Sequence, residues 1–186
     1  FIFGLAQVLL AWKNKIINFY AGILSVSFYI LVFYQYGLFA ESLLNIYYLI
    51  ISIAGIFLWQ SKKKKLKVIT HCNRRDIHIA ILIFCISWLC LFILLKQYTK
   101  SDVPSLDSFV TASAWIGSWL LLKRKVENWI LLNVSNAVAI PLQIYKGMEL
   151  TALLTILYFI IALSGYFAWK KRAVPIKNEL PKWTAH

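Results

Sequence analysis

One face of several apolar stretches carries aromatic and polar side chains that could bind a flat, polar molecule. In the third stretch this face is formed, at steps of three and four residues, by Glu41, Asn45, Tyr48, Ser52, Gly55 and Trp59. Such steps keep residues on one side of an α-helix. Aromatic side chains stack on a ring and attract a cation, while amides hydrogen-bond its hydroxyl groups. The pattern therefore indicates a binding site for a small ring-bearing molecule.

Three later stretches show the same combination of residue types. Their faces carry Trp115, Ser118 and Trp119; Trp129, Leu132, Asn133, Asn136, Ile140 and Gln143; and Thr151, Thr155, Tyr158, Ala162, Gly165 and Trp169. Polar groups within a membrane are costly and usually face the protein interior or a cavity. The predicted substrate-binding residues are therefore Asn45, Tyr48, Trp115, Ser118, Trp119, Trp129, Asn133, Asn136, Gln143 and Tyr158.

Other interpretations of some of these side chains stay open. Asn133 and Gln143 fit a hydrogen bond to a neighbouring helix equally well. Trp59 and Trp169 lie at the ends of their stretches, where the aromatic belt of a membrane protein explains them better than a ligand does. The glycines on the same faces are better explained by close packing of helices.

The chain lacks the residue patterns of an enzyme or a metal site. All seven acidic residues lie at the ends of apolar stretches, in loops or in the tail, so no proton relay is expected within a membrane. No Ser/His/Asp set, HExxH motif or P-loop occurs, and the cysteines and histidines do not cluster beyond the adjacent pair His71–Cys72. We predict no enzymatic activity, no cofactor and no metal, and facilitated diffusion is the simplest mechanism.

The stretches that position these residues are long enough to be membrane spans. The chain is 61% hydrophobic and 15% charged, against roughly 45–50% and ~25% in soluble domains. The predicted spans are Phe1–Trp12, Ile16–Tyr34, Ser42–Trp59, Ile77–Leu95, Ser105–Leu122, Asn128–Tyr145 and Leu150–Trp169. The first is short for a bilayer, so we expect that its start is missing. The predicted fold is an all-α integral membrane protein with seven transmembrane helices.

The net charge of +13 is explained by membrane topology rather than by nucleic-acid binding. Seventeen of the 20 lysines and arginines follow spans 1, 3, 5 and 7, and only Lys96, Lys100 and Lys146 lie on the other side. Basic residues next to membrane spans favour the cytoplasm. The N-terminus is therefore predicted outside and the C-terminus inside, with Lys62–Lys67 in a solvated cytoplasmic loop. A headgroup- or nucleotide-binding role for that run is the alternative.

The sequence contains an internal repeat with a spacing of 110 residues. Lys13–Lys62 aligns without a gap on Lys123–Arg172, with identities that include Lys15/Lys125, Asn18/Asn128, Ser25/Ser135, Gly37/Gly147, Tyr48/Tyr158, Gly55/Gly165 and Trp59/Trp169. Spans 1–3 thus recur as spans 5–7 in the same orientation, in a 3+1+3 arrangement like that of SWEET transporters, with the site at the repeat interface. The predicted regions are residues 1–61, a basic loop and linker helix at 62–104, residues 105–172, and a cytoplasmic tail at 173–186.

Several segments resemble the PnuC family of vitamin transporters. They are Asp107–Thr111, Lys123–Trp129, Lys146–Leu154 and Gly165–Trp169, and the resemblance extends over essentially the whole chain. The resemblance implies a 3+1+3 homotrimer in the bacterial inner membrane. It also implies facilitated uptake of a vitamin or nucleoside such as nicotinamide riboside, trapped inside by a cytosolic kinase. Relatives are assigned to thiamine, riboflavin or deoxynucleosides.

The family's motifs are matched in part. Its NxxY pattern is present as Asn45 and Tyr48, whereas its WxxWxxxN pattern appears as Trp129, Leu132 and Asn136, without the second Trp. Ser118 stands where relatives often have Gln. The expected substrate is therefore thiamine or nicotinamide riboside, both of which carry a cationic aromatic ring. The alternatives are a SWEET-like sugar facilitator and a ligand-binding membrane subunit without transport of its own.

Overall fold

Seven α-helices form the part of the chain that the structure, a computed structural model, describes. It describes residues 2–35, 39–60, 68–98 and 102–174, with only the backbone at residues 33 and 39–44. The helices are α1 (Ile2–Trp12), α2 (Ile17–Gln35), α3 (Phe39–Gln60), α4 (Arg74–Tyr98), α5 (Pro104–Leu122), α6 (Asn128–Tyr145) and α7 (Glu149–Arg172). The prediction of seven helices is confirmed. The side chain of Glu41, the Lys62–Lys67 run and the tail from residue 175 lie outside the described residues.

The linker helix α4 exposes apolar side chains along its length. Ile81, Leu82 and Leu89 are each more than half exposed. By length and composition, α4 and α7 could each cross a bilayer, and α1, Ile17–Val32 and Asn45–Gln60 are shorter apolar helices. Such a surface is unfavourable in water and stable against lipid, which agrees with the predicted membrane spans. Both long helices extend a few residues beyond the predicted spans, because their charged ends continue the helix.

The helices pack as two groups of three with α4 beside the second. In the first half of the chain α1 contacts α2 and α2 contacts α3; in the second half α5 contacts α6 and α6 contacts α7. The two halves meet where α1 contacts α7 and α3 contacts α5, while α4 packs against α5. A cavity between the halves is therefore enclosed by helices of both.

Two tryptophans join the halves at one end of the molecule, the tryptophan end. The Trp59 indole N–H donates to the Leu122 carbonyl at 3.0 Å, and the Trp169 indole N–H donates to the Trp12 carbonyl at 3.0 Å. Each donor lies 110 residues from the other, and so does each acceptor. The two hydrogen bonds are thus reciprocal: the tryptophan of each half donates to the last residue of the first helix of the other half.

The turns at the tryptophan end also correspond at this spacing. Asn14 and Arg124 both have positive φ, 55° and 53°. Just after them, the buried Asn18 side-chain amide donates to the Lys15 carbonyl, and the buried Asn128 amide donates to the Lys125 carbonyl, at 2.6 and 2.5 Å. The amides satisfy carbonyls in the tight turns, as buried backbone groups require.

The segment before α4 binds the second turn by a backbone bridge. Thr70 N–H donates to the Arg124 carbonyl and Val126 N–H donates to the Thr70 carbonyl, at 3.2 and 3.1 Å. Lys125 Nζ adds hydrogen bonds to the Thr70 hydroxyl and the His71 carbonyl. The start of α4 is thereby attached to the second half of the molecule.

Two acids strengthen this attachment: Asp76, which is buried, and Glu127, which is partly exposed. Asp76 forms ion pairs with Lys125 at 2.9 Å and Lys123 at 3.3 Å, and Glu127 contacts His71 Nδ1 at 2.8 Å. Burial raises the pKa of Asp76, but the Lys125 hydrogen bond, the backbone N–H of Asn73 and the two lysine charges outweigh it and hold the pKa below its ordinary value. In the first half Ile17 stands at the position of Glu127, so among the described residues this polar attachment is seen only in the second half.

Candidate functional site

A cavity of about 310 Å³ lies between the two halves. It is bounded by every helix except α4, and its described lining is Gly4, Gln7, Val8, Ala11, Phe19, Ser25, Val26, Tyr29, Asn45, Tyr48, Ile51, Ser52, Ser118, Leu121, Trp129, Leu132 and Tyr158. Small-molecule sites are typically concave and mostly apolar, with a few polar groups that fix the ligand's orientation. The cavity has this composition and is the candidate substrate site.

Aromatic rings bound the cavity toward the tryptophan end. Phe19 packs edge-on against Trp59, with ring centroids 4.9 Å apart, and Trp129 packs edge-on against Trp169 at 5.6 Å. Gly55 and Gly165 lie against these two rings so closely that a Cβ at either position would overlap the ring. The two glycines therefore permit the close packing of aromatic rings, as predicted, and hold Phe19 and Trp129 against the cavity.

Two tyrosines lie farther from the tryptophan end. Tyr48 and Tyr158 precede Gly55 and Gly165 by seven residues, which is two turns or roughly 10 Å along a helix. The Tyr158 hydroxyl lies against Gly4 of α1, where a Cβ would be only 2.6 Å from it. The two tyrosines and the rings of Phe19 and Trp129 thus line the cavity at two levels along the helices.

Five of the ten predicted site residues line this cavity. They are Asn45, Tyr48, Ser118, Trp129 and Tyr158. They come from α3, α5, α6 and α7, so packing brings together groups that lie up to 113 residues apart in the chain. The Ser118 hydroxyl donates to the Ala114 carbonyl at 2.9 Å, so its oxygen can still accept a hydrogen bond.

Three further predicted residues make contacts outside the cavity. The Trp115 ring stacks on Tyr47 at 4.4 Å, and the Tyr47 hydroxyl donates to the Trp115 carbonyl. Lys123 Nζ lies 4.0 Å from the centre of the Trp119 ring. The Gln143 side-chain carbonyl accepts a hydrogen bond from the Thr155 hydroxyl at 2.8 Å. For Gln143 this is the contact with a neighbouring helix that its sequence left open.

The last two predicted residues are also absent from the described cavity lining. Asn133 lies on an outer groove between α6 and α7, lined otherwise by Ile130, Val134, Ala137, Phe159, Leu163, Tyr166 and Phe167. Asn136 is half-buried on α6. Both share the helical face of Trp129 in the sequence, but only the first turn of that face, through Leu132, meets the cavity.

The cavity contains polar residues that sequence reasoning missed. Gln7, Ser25 and Tyr29 come from α1 and α2, and Ser52 lies on the predicted face of α3 without having been selected. Gln7 is the one amide side chain of α1, which was a usable signal.

The charge of the lining limits what the cavity can bind. None of the described lining residues is Asp, Glu, Lys, Arg or His. Aromatic faces attract a cationic ring without a counter-ion, whereas a buried phosphate needs cationic or several N–H partners. Within the described chain, no group of three or more His, Cys, Asp or Glu is arranged to hold a metal ion.

A family model described as "Nicotinamide mononucleotide transporter" matches residues 1–171. The chain belongs to this family. The match covers both halves and the linker helix, and it confirms the family resemblance found in the sequence. Members are membrane transporters, so the prediction that the chain is not an enzyme is also confirmed.

Curated relatives carry the name "Nicotinamide riboside transporter PnuC". The one from Escherichia coli (strain K12) is 22% identical over 202 residues, which cover 90% of this chain and 82% of the relative. The one from Neisseria mucosa is 26% identical and covers 90% of this chain and 69% of the relative. A solved structure, "Crystal structure of the Vitamin B3 transporter PnuC", matches with a TM-score of 0.73 at 24% identity over 91% of this chain and 78% of that one. This structural similarity shows the fold.

Proposed function

We propose that the chain mediates facilitated uptake of nicotinamide riboside. The observation that carries the proposal is the uncharged, aromatic cavity between the halves, with Trp129 on one wall and amide and hydroxyl groups on the others. The pyridinium ring of nicotinamide riboside is flat and positively charged, and its ribose and carboxamide need hydrogen bonds. The names of the curated relatives support the same substrate.

A nucleoside fits this cavity better than the nucleotide in the family model's description. A phosphate would enter the cavity with at least one negative charge and meet no lysine or arginine among the described lining residues. Burying an unpaired charge costs several kcal/mol or more. The nearby lysines 123 and 125 are already paired with Asp76 at the tryptophan end.

Thiamine is the second candidate, because it also carries a cationic aromatic ring that an uncharged aromatic cavity can bind. Leu132 lines the cavity at the position of the family's second Trp. The loss of one stacking ring weakens the support for nicotinamide riboside, but it does not by itself favour thiamine, since stacking on a cationic ring would serve both. We propose no enzymatic step for either substrate; phosphorylation by a cytosolic kinase would trap it inside.

The proposed architecture is two parallel three-helix repeats joined by α4, with substrate between them. The reciprocal hydrogen bonds of Trp59 and Trp169, and the matching turns at Asn14 and Arg124, support it. Following the distribution of basic residues, we place the tryptophan end at the cytoplasmic side, with the N-terminus outside and the C-terminus inside. Assembly as a homotrimer is what the family resemblance implies.

A binding screen tests the substrate. Thermal unfolding of the detergent-solubilised protein is measured with nicotinamide riboside, nicotinamide mononucleotide, thiamine, riboflavin and glucose. We expect the riboside to raise Tm, because a ligand that binds only the folded state stabilises it by mass action. A larger shift with the mononucleotide at equal concentration would contradict the nucleoside assignment. A shift with thiamine alone would establish the second candidate.

A variant then locates the binding. Trp129→Phe copies Phe19 of the first half and so keeps an aromatic ring against Gly165. We expect it to weaken riboside binding about fivefold, because Trp offers a stronger cation–π face than Phe. Trp88→Ala, on exposed α4, is the control and should leave binding unchanged.

Uptake of nicotinamide riboside into liposomes without an ion gradient tests facilitated diffusion. Binding of the riboside without uptake would favour a ligand-binding subunit.

A further inference from the structure

Gln7 and Ser52 converge on one small space beside the cavity. Both line it, and both lie against Gly22 of α2. A Cβ at Gly22 would be 2.9 Å from Gln7 Nε2 and 3.1 Å from Ser52 Oγ. The glycine therefore leaves the space in which the amide of α1 and the hydroxyl of α3 lie side by side.

The same space in the second half is apolar. At the 110-residue spacing Gln7, Gly22 and Ser52 correspond to Gly117, Leu132 and Ala162. In the first half the large residue, Gln7, is on the first helix and the glycine is on the second; in the second half the glycine, Gly117, comes first and the large residue, Leu132, follows. The Leu132 side chain lies against Gly117, where a Cβ would be 2.9 Å from Leu132 Cγ. The two halves thus fill equivalent volumes, one with an amide and a hydroxyl and the other with hydrocarbon.

The hydrogen-bonding state of the first-half group points to a ligand. Within the described residues, neither the Gln7 amide nor the Ser52 hydroxyl has a protein hydrogen-bond partner, and both side chains line the cavity, where a bound molecule can reach them. By contrast, second-half hydroxyls such as Ser118 and Ser135 donate to backbone carbonyls at 2.9 and 2.8 Å. Buried polar groups are normally paired. A group entering the cavity would supply the missing partners.

We propose that Gln7 and Ser52 form the specificity subsite of the cavity, which binds a substrate group that both donates and accepts hydrogen bonds. Such a group is a carboxamide or a pair of neighbouring hydroxyls, because an amide and a hydroxyl each offer a donor and an acceptor. The substrate ring then lies toward Trp129 and Leu132 on the opposite wall. The inference rests on the proposed uptake of a vitamin nucleoside and adds the direction in which it is bound.

The test gives the first half the residues of the second. Gln7→Gly combined with Gly22→Leu reproduces the Gly117/Leu132 pair, whose packing the molecule already contains, and Ser52→Ala reproduces Ala162. Dissociation constants for nicotinamide riboside are measured by calorimetry on each purified protein. We expect about tenfold weaker binding for Ser52→Ala and a larger loss for the double variant, because each removes hydrogen bonds to the ligand. Gln97→Leu, on exposed α4, is the matched control and should bind as the wild type does.

Ligand analogues distinguish the two possible substrate groups. Nicotinic acid riboside replaces the carboxamide by a carboxylate, and the 2′-deoxyriboside of nicotinamide removes one hydroxyl of the pair. If the subsite binds the carboxamide, the variants bind nicotinamide riboside and the deoxyriboside more weakly than the wild type does. Nicotinic acid riboside, which lacks the carboxamide, then binds the variants and the wild type with the same affinity. If the subsite binds the hydroxyls, the deoxyriboside is the ligand whose affinity is the same for the variants and the wild type.

Three outcomes would overturn the inference. Wild-type affinity in the double variant would show that Gln7 does not contact the ligand. An equal loss for all three ligands would assign Gln7 and Ser52 a packing role instead. Binding of no compound by the wild type would reject the proposed function together with this subsite, whereas the first two outcomes leave the proposed function standing.

Discussion

The two halves of the molecule are alike at the tryptophan end and different at the cavity. Phe19 packs edge-on against Trp59, and Trp129 packs edge-on against Trp169. Trp59 and Trp169 each donate a hydrogen bond to a carbonyl of the opposite half. At the cavity, Gln7 and Ser52 contribute polar groups from the first half, and Leu132 contributes an apolar side chain from the second. The common packing sets the relation between the halves, while the difference gives a bound molecule a polar and an apolar side.

The attachment of α4 adds a second difference. Asp76 and Glu127 bind the segment before α4 to the second half. In the first half the position of Glu127 is occupied by Ile17, which has no acidic group. The first half contacts the second through α1 against α7 and through α3 against α5, where Trp59 donates its hydrogen bond. If one half moves relative to the other during transport, α4 is expected to move with the second.

The largest effect is expected from the reciprocal tryptophans. Trp169→Ala and Trp59→Ala should each lower the free energy of unfolding by about 3–5 kcal/mol, since each removes a buried ring and a hydrogen bond between halves. Unfolding in detergent with added SDS provides the measurement, and Phe57→Ala, at a ring that is 71% exposed, is the control. A cost confined to one of the two tryptophans would break the likeness between the halves.

A smaller loss is expected at the attachment of α4. Asp76→Asn should cost about 2–3 kcal/mol, because it removes an ion pair with Lys125, which is shielded from water, and a second one with Lys123, which is 36% exposed. The depressed pKa of Asp76 means that its contribution is present above the ordinary value of 3.8 and is lost as the pH falls through the lower, folded-state pKa. Stability measured from pH 7 to pH 3 should therefore fall less in the variant than in the wild type. Equal acid sensitivity would exclude Asp76 as a source of it.

Methyl groups at the two ring-packing glycines test the walls of the cavity. Gly55→Ala and Gly165→Ala should each destabilise the fold by about 1–3 kcal/mol, because the buried ring must move. Only Gly165→Ala displaces Trp129, so it should also weaken ligand binding more than Gly55→Ala does. Unfolding and calorimetry on the same samples separate the two effects, and equal binding losses would mean that Phe19 and Trp129 contribute alike.

The smallest effect concerns the turn of the first half. Asn14→Ala should cost about 1 kcal/mol, since its φ of 55° is tolerated by Asn and Gly but disfavoured for Ala. Asn14→Gly is the control and should be as stable as the wild type in the same unfolding assay. A harmless Asn14→Ala would indicate that the turn can relax, in contrast to its counterpart at Arg124, where the guanidinium lies 4.0 Å from the Trp59 ring.

Five of the ten predicted site residues line the cavity, whereas the other five lie on the predicted helical faces without lining it. A face such as Trp129, Leu132, Asn133 and Asn136 spans a wide arc of α6, and periodicity cannot tell which part of the arc meets a neighbouring helix. Trp115 found a partner in Tyr47 and Gln143 found one in Thr155. These choices depend on side chains of other helices, which a pattern within one helix does not contain.

The sequence by itself determined the seven helices, their approximate ends and the family, because long apolar runs, helix-breaking turns and recurring motifs are local features of the chain. Tertiary structure alone decided that Gln7 and Ser52 share a space over Gly22 and that Leu132 fills its counterpart. Those relations arise from packing between helices, where the absence of a side chain on one helix makes room for a side chain on another.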